Sequence, residues 1–177
     1  HAVPPTIPRM RFGLLLDTGA VCSIHSDFWR RRYHKHILAK RNVSIQERRH
    51  TATFSGISGK PTVSHRLIKI PICIEGQRGK FESQELPDSE VPAIVGLKGM
   101  EANQMMLIPH HNRVIIPNGG KVELKISKEV QIVECIRTDS GHLLLPCDQW
   151  SSKSKHKSTI TLFGNTLTEG EDAMDLP

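Results

Sequence analysis

The sequence predicts a mostly β, barrel-like domain carrying one or two short helices. Short apolar runs recur along the chain, separated by glycine-containing turns. In the clearest strand Ile68, Ile70, Ile72 and Ile74 alternate with Leu67, Lys69, Pro71 and Cys73, a period of two. Helical periodicity is confined to two short windows, residues 27–38 and 97–106. Many short strands, tight turns and little helix point to that architecture. The length, 177 residues, suffices for one domain with a real core and an extension.

Residues 11–16 read as a short apolar strand, and residues 20–25 continue extended after a turn. Ser26 is placed to cap a helix, with Asp27 in its first turn. Trp29, Tyr33 and Ile37 recur every four residues, and Phe28 widens that stripe, so residues 27–38 form an amphipathic helix. Residues 51–60 read as a hairpin tip bracketed by Gly56 and Gly59. Pro71 places the isoleucine strand at an edge or a bulge. Gly76 to Gly79 turn the chain, and residues 80–86 return as a strand.

Residues 91–96 form a further apolar strand ending in glycine, and residues 97–106 a short helix. Strands follow at 113–117, 121–126, 129–136 and 142–146, with turns at Asn118-Gly119-Gly120 and Asp139-Ser140-Gly141. Beyond residue 151 the chain is rich in Ser, Lys, Thr, Gly and acids, a composition that predicts a disordered tail. There is also an internal echo. Leu14-Leu15-Leu16 leads into the Asp17-Thr18-Gly19 turn, and Ala93-Ile94-Val95 leads into a turn at Gly96.

The net charge is +6, and Arg30, Arg31, Arg32, Lys35, Lys40, Arg41, Arg48 and Arg49 fall in one stretch. That stretch is either a solvated face or a surface for nucleic acid or an acidic partner; no RNA-binding motif accompanies it. The cysteines, Cys22, Cys73, Cys135 and Cys147, have no metal or redox spacing and predict free thiols in a reducing, intracellular compartment. The histidine pairs His34/His36 and His110/His111 lack companion ligands, so no metal or other cofactor is expected. No apolar run approaches the length of a membrane span. The first residues, His-Ala-Val-Pro-Pro-Thr-Ile-Pro, lack the charged start and apolar core of a signal peptide and an initiator Met. A segment of a longer polyprotein is the expectation.

The string with most chemical content is Leu14-Leu15-Leu16-Asp17-Thr18-Gly19-Ala20. It sets a carboxylate at the end of an apolar strand, beside the backbone N–H groups of a turn. Apolar walls and N–H donors act in opposite directions on a carboxyl group, which makes its protonation adjustable. With Ser23-Ile24 after it, the glycine-bracketed Gly56-Ile57-Ser58-Gly59, and Pro92-Ala93-Ile94-Val95-Gly96-Leu97, the order of motifs resembles a retropepsin, the protease domain of retroviruses and retrotransposons.

The resemblance covers roughly residues 9–118 and implies a closed, retropepsin-like β-barrel. Residues 1–8 would then be a linker, 119–150 a C-terminal β extension and 151–177 the tail. It implies that Asp17 is the catalytic carboxylate. Thr18 would join two active-site loops through its hydroxyl, and Gly19 and Ala20 would lie along the substrate backbone. Gly56, Ile57, Ser58 and Gly59 would belong to a flap over a bound peptide, where an ordinary exposed hairpin is the competing reading. Cys22 reads as a small core side chain. The chain departs from the viral pattern in its longer basic helix, its longer connection before the flap and its extension, in which 121–126 or 142–146 could supply a dimer-forming strand.

Peptide hydrolysis without a metal or covalent nucleophile needs one carboxylate to activate water and a second carboxyl to polarise the carbonyl. Asp-Thr-Gly occurs once. The Ile136-Arg137-Thr138 stretch before Asp139-Ser140-Gly141 is not a clean apolar strand, and His142 follows it where a small residue is expected; between two short strands this favours a plain turn. The second aspartate is therefore expected from a second copy across a two-fold axis. The leading expectation is a homodimeric aspartic endopeptidase of a retroelement polyprotein, within a virus-like particle or cell, acting on an extended peptide. A non-catalytic dimerisation or peptide-binding module and a nucleic-acid-binding segment are its rivals.

Overall fold

The computed structural model describes residues 12–55, 61–128, 130 and 132–146. The chain divides into a unit His1–Leu145 and a unit Pro146–Pro177; all of the second but Pro146 lies outside the described residues, as does the expected tail. The first unit is mostly β with a few short helices. Strands β1 (Leu15–Leu16), β2 (Ile24–Ser26), β3 (Gln46–Ser55), β4 (Pro61–Ile74), β5 (Gln77–Leu86) and β6 (Ile94–Val95) form a six-stranded sheet in the order β1-β6-β2-β5-β4-β3. Two further pairs stand apart: β7 (Met106–Ile108) with β8 (Arg113–Ile115), and β9 (Ile136–Arg137) with β10 (Leu143–Leu144). Among the described residues the six-stranded sheet is open, with β1 and β3 at its edges, where a closed barrel was expected.

The order explains the internal echo. β6 lies between β1 and β2, parallel to the first and antiparallel to the second, so that Ile94 faces both Leu15 and Ile24. The loop joining β1 to β2 must therefore pass over the end of β6. On its other side β2 runs parallel to β5, pairing Ile24, His25 and Ser26 with Gln84, Glu85 and Leu86.

Ser26 caps the first helix as its side-chain chemistry requires. Its hydroxyl accepts from Trp29 N at 3.1 Å and donates to Val91 O at 2.7 Å. Helix α1 spans Asp27–Tyr33 and widens into a π-helical turn, His34–Leu38. The expected stripe forms: Trp29 and Tyr33 stack at 4.9 Å, and Phe12 meets both rings edge-on. Phe28 departs from it. It is exposed, with the Arg32 guanidinium over its ring.

β4 is longer than its isoleucine run. Ile68 and Ile70 are fully buried, whereas Ile74 is exposed at the distal end. Pro71 sits where β3 has already ended, since the β3–β4 pairing stops at Gln46↔Lys69, so its missing N–H leaves no vacancy in that ladder. The β4–β5 turn is tighter than expected. Glu75 and Gly76, both at positive φ, make a two-residue connection, and Gly79 belongs to the strand. Helix α2 covers only Leu97–Ala102. Met106, expected in that helix, opens β7 instead. The expected strand at 121–126 does not form: its apolar and polar residues alternate, but among the described residues no neighbouring strand pairs with it. Of 129–136 only Ile136 is in a described strand, and of 142–146 only Leu143–Leu144.

The core holds one buried ionic knot. The β2–β5 register sets His25 opposite Glu85, and Glu85 is almost inaccessible. Arg30 from α1 and Arg66 from β4 both bind its carboxylate. His25 Nδ1 lies 2.8 Å from Ser83 Oγ, and its Nε2 lies 3.3 Å from Glu85 Oε2, short of hydrogen-bond alignment. Burial pushes the Glu85 carboxyl up, but His25, Arg30 and Arg66 outweigh it and hold it down from 4.5 to about 2.

A carboxylate whose folded value is depressed adds stability that is present above about pH 4.5 and disappears as pH falls through about 2. Glu85→Gln should therefore lose about 3 kcal/mol near neutral pH, by leaving the Arg30 guanidinium without its anion and Arg66 with only its 3.5 Å contact to Glu47. Its stability should also vary less than the parent's across that acid window, as measured by urea unfolding at a series of pH values.

Candidate active site

The Asp17 turn is built by β6. Leu15 N donates to Ala93 O at 2.8 Å and Asp17 N to Val95 O at 3.2 Å, which fixes the last residues before the turn. Ala20 N then returns to Asp17 O at 3.2 Å, closing the turn. Gly19 N donates to Asp17 Oδ1 at 2.8 Å, so the carboxylate is oriented by its own turn. Asp17 is half-buried, while Thr18 and Gly19 are exposed. The carboxylate takes part in no ion pair among the described residues.

The loop after the turn is held just as firmly. The first N–H groups of a helix have no partner within it. In α2 two of them are met by this loop: Leu97 N donates to Ala20 O at 2.7 Å and Lys98 N to Val21 O at 3.0 Å. Gly96 N donates to Ser23 Oγ at 3.2 Å. Backbone thus lies on backbone, and this is possible because residue 96 has no side chain. A Cβ there would stand 2.5 Å from both the carbonyl carbon and oxygen of Cys22, and 2.7 Å from Ala20 O. A Cβ at Gly99 would come 2.9 Å from Ser23 Oγ.

The structure thus places Asp17, Thr18, Gly19 and Ala20 together, with different fates. Asp17, Thr18 and Gly19 form an accessible turn. The Ala20 N–H and carbonyl are both engaged inside the fold, the first with Asp17 O and the second with Leu97 N. Cys22 is partly buried, its backbone pressed against Gly96. Gly56, Ile57, Ser58 and Gly59 lie outside the described residues; β3 and β4, which lead to and from them, are paired as far as Ser55↔Pro61.

Asp139-Ser140-Gly141 is a hairpin turn between β9 and β10. Gly141 N bonds Thr138 O at 2.8 Å, and the Ser140 hydroxyl meets Thr138 Oγ1 and His142 Nδ1, each at 2.9 Å. Sequence reasoning missed where this hairpin goes. His142 Nε2 lies 2.9 Å from Gly19 O, the carbonyl of the aspartate turn. Arg137 pairs with Glu101 of α2. A Cβ on Gly141 would lie 3.2 Å from Val21 Cγ1, so the hairpin turn also touches the loop after Asp17.

The basic stretch is partly spent on the fold. Arg30 binds Glu85, Arg31 pairs with Asp27 at 2.7 Å, and Arg41 donates to Ile37 O at 2.6 Å. Among the described residues no helix is long and apolar enough to cross a membrane.

The chain matches no protein-family model and no curated protein. Among solved structures it is similar to the retroviral protease-like domain of Ddi1 from Leishmania major. The identity is 19%, the match covers 58% of this chain and 76% of that one, and the TM-score is 0.34.

Gly96→Ala should be among the most damaging single-methyl additions in this chain, because backbone rather than a movable side chain occupies the space. A loss of about 3 kcal/mol is expected, at the upper end of overpacking costs. Gly13→Ala, where nothing lies within 4 Å of the added carbon, should change stability by less than about 0.5 kcal/mol. Thermal and urea unfolding of the two variants test the contrast.

Proposed function

We propose that this chain is an aspartic-type endopeptidase of retropepsin-like build, with an active centre shared by two copies. The observation that carries this reading is the state of Asp17. Its carboxylate is held by the Gly19 N–H at 2.8 Å, in an accessible turn clamped to β6 and α2. This is an oriented, half-buried acid in an exposed turn, outside every described ion pair.

One such carboxylate is half of the chemistry. Brought within about 3 Å of its twin, it cannot ionise together with it, so the pair holds one proton and titrates as a unit. The ionised partner takes a proton from the attacking water as that water adds to the scissile carbonyl. The protonated partner donates a hydrogen bond to the carbonyl oxygen, and a proton passes to the leaving amine as the C–N bond breaks. The exposed Thr18 and Gly19 leave the turn approachable by an equivalent turn. An extended peptide would bind beneath the β3–β4 arm, adding backbone hydrogen bonds as a further strand does. A retroelement polyprotein is the substrate class that fits the proposed family.

Asp17→Asn should fold as the parent does and lose cleavage of a peptide substrate by about three orders of magnitude or more at mildly acidic pH. Cleavage per chain should rise with protein concentration and be blocked by a statine-type peptide. Asp139→Asn should cleave like the parent. If Asp139→Asn were as inactive as Asp17→Asn in a demonstrated monomer, the shared centre would be replaced by a single-chain pair.

A further inference from the structure

We propose that the β9–β10 hairpin is the surface through which two copies of this chain meet. The proposal rests on the shared-centre reading given above and names the element that would bring the two aspartate turns together.

Three observations converge on it. The first is position. His142 is set against the Gly19 carbonyl at 2.9 Å and Arg137 is paired with Glu101, so the hairpin is tied both to the aspartate turn and to the helix that supports it. If Asp17 must approach its twin across a two-fold axis, whatever is fastened beside Gly19 lies near that axis and meets its own copy.

The second is chemistry. Ile136 and Leu144 are cross-strand neighbours on one face of the hairpin, and they remain 52% and 50% exposed; Leu143 and Leu145 are 50% and 48% exposed. Cross-strand apolar pairs normally stabilise a sheet by being covered. Here the residues around the turn are polar and bonded among themselves, while the apolar ones stay half-exposed, Ile136 and Leu144 on one face and Leu143 on the other.

The third is incompleteness. β9 and β10 pair only with each other among the described residues, leaving the outer edge of each strand open. A lone two-stranded ribbon is marginal in water, and unpaired edges accept further strands. A second copy supplies both an apolar face of the same kind and an open edge, because a two-fold interface pairs a patch with itself.

The test is sedimentation of the full chain over a range of concentrations, with peptide cleavage measured on the same samples. Leu144→Glu and Ile136→Glu place charge on exposed positions and should preserve the parent's circular dichroism spectrum. Each should weaken self-association by about tenfold or more. Cleavage should fall at low protein concentration and recover on concentrating. Ile74→Glu, at the exposed far end of β4, should associate like the parent.

Unchanged or tighter association of the hairpin variants overturns the proposal. So does a parent that stays monomeric at the highest concentration reached. If the hairpin variants merely melt at lower temperature while associating normally, the chain's own remaining residues cover this face, and the proposal again falls. The two readings separate cleanly. Cleavage that depends on Asp17 but not on the hairpin keeps the peptidase and removes the interface. Hairpin-dependent association without cleavage does the reverse.

Discussion

The absence of a side chain at residue 96 governs the part of this molecule where chemistry is expected. β6 ends there, the loop from the aspartate turn crosses it, and helix α2 begins from it. The crossing brings Cys22 and Ala20 so near that a single methyl group would collide with main-chain atoms. Because main chain rests on main chain, the loop carbonyls reach the unpaired N–H groups at the start of α2. The turn holding Asp17 is fixed at both ends as a result, by β6 before it and by α2 after it. Its carboxylate orientation is a property of the sheet rather than of a flexible loop.

The ionic knot around Glu85 has a complementary task. It joins α1, β2, β4 and β5 through one carboxylate, and the cations meeting it come from elements distant in sequence. Hydrophobic contacts hold three of these elements together, with Ile68 and Ile70 of β4, Phe81 of β5 and Tyr33 of α1 packed in one cluster. Such contacts tolerate small slips. A carboxylate shared by two guanidiniums is far less permissive about register. We read the knot as what sets how the long β3–β4 arm meets the helix, and the apolar core as what makes that meeting favourable.

Much of this was legible in the sequence where the cause is local. Ser26 caps because its hydroxyl reaches an N–H three residues on, and the Trp29–Tyr33–Ile37 stripe follows from helical geometry alone. The β4 alternation and the Asp17-Thr18-Gly19 turn are likewise local. Non-local causes were hidden. Nothing near residue 25 shows that β2 will lie parallel to β5, so the meeting of His25 with Glu85 was missed; the only signal was an acid in phase with the inward Phe81 and Ser83. The contact between His142 and Gly19 depends on how a distant hairpin folds back. Residues 121–126 erred in the other direction: alternation predicts a strand, but a strand needs a neighbour. Phe28 lies outside the helical stripe, exposed, with Arg32 from one turn later across its ring.

The parallel pairing of β1 with β6 has a consequence in time. Leu15 waits for Ile94, whereas Ile74 and Gln77 meet across a two-residue turn. Closing a short loop is quick and closing a long one is slow, so we expect the β4–β5 ribbon to assemble early and the aspartate turn to assemble last. A nascent chain that has emerged only as far as the ribbon already contains Asp17 but has no β6 to shape the bend around it. The bend around Asp17 would thus stay unshaped until the residues around Gly96 have left the ribosome, so the order of synthesis sets when that turn can be held from both sides.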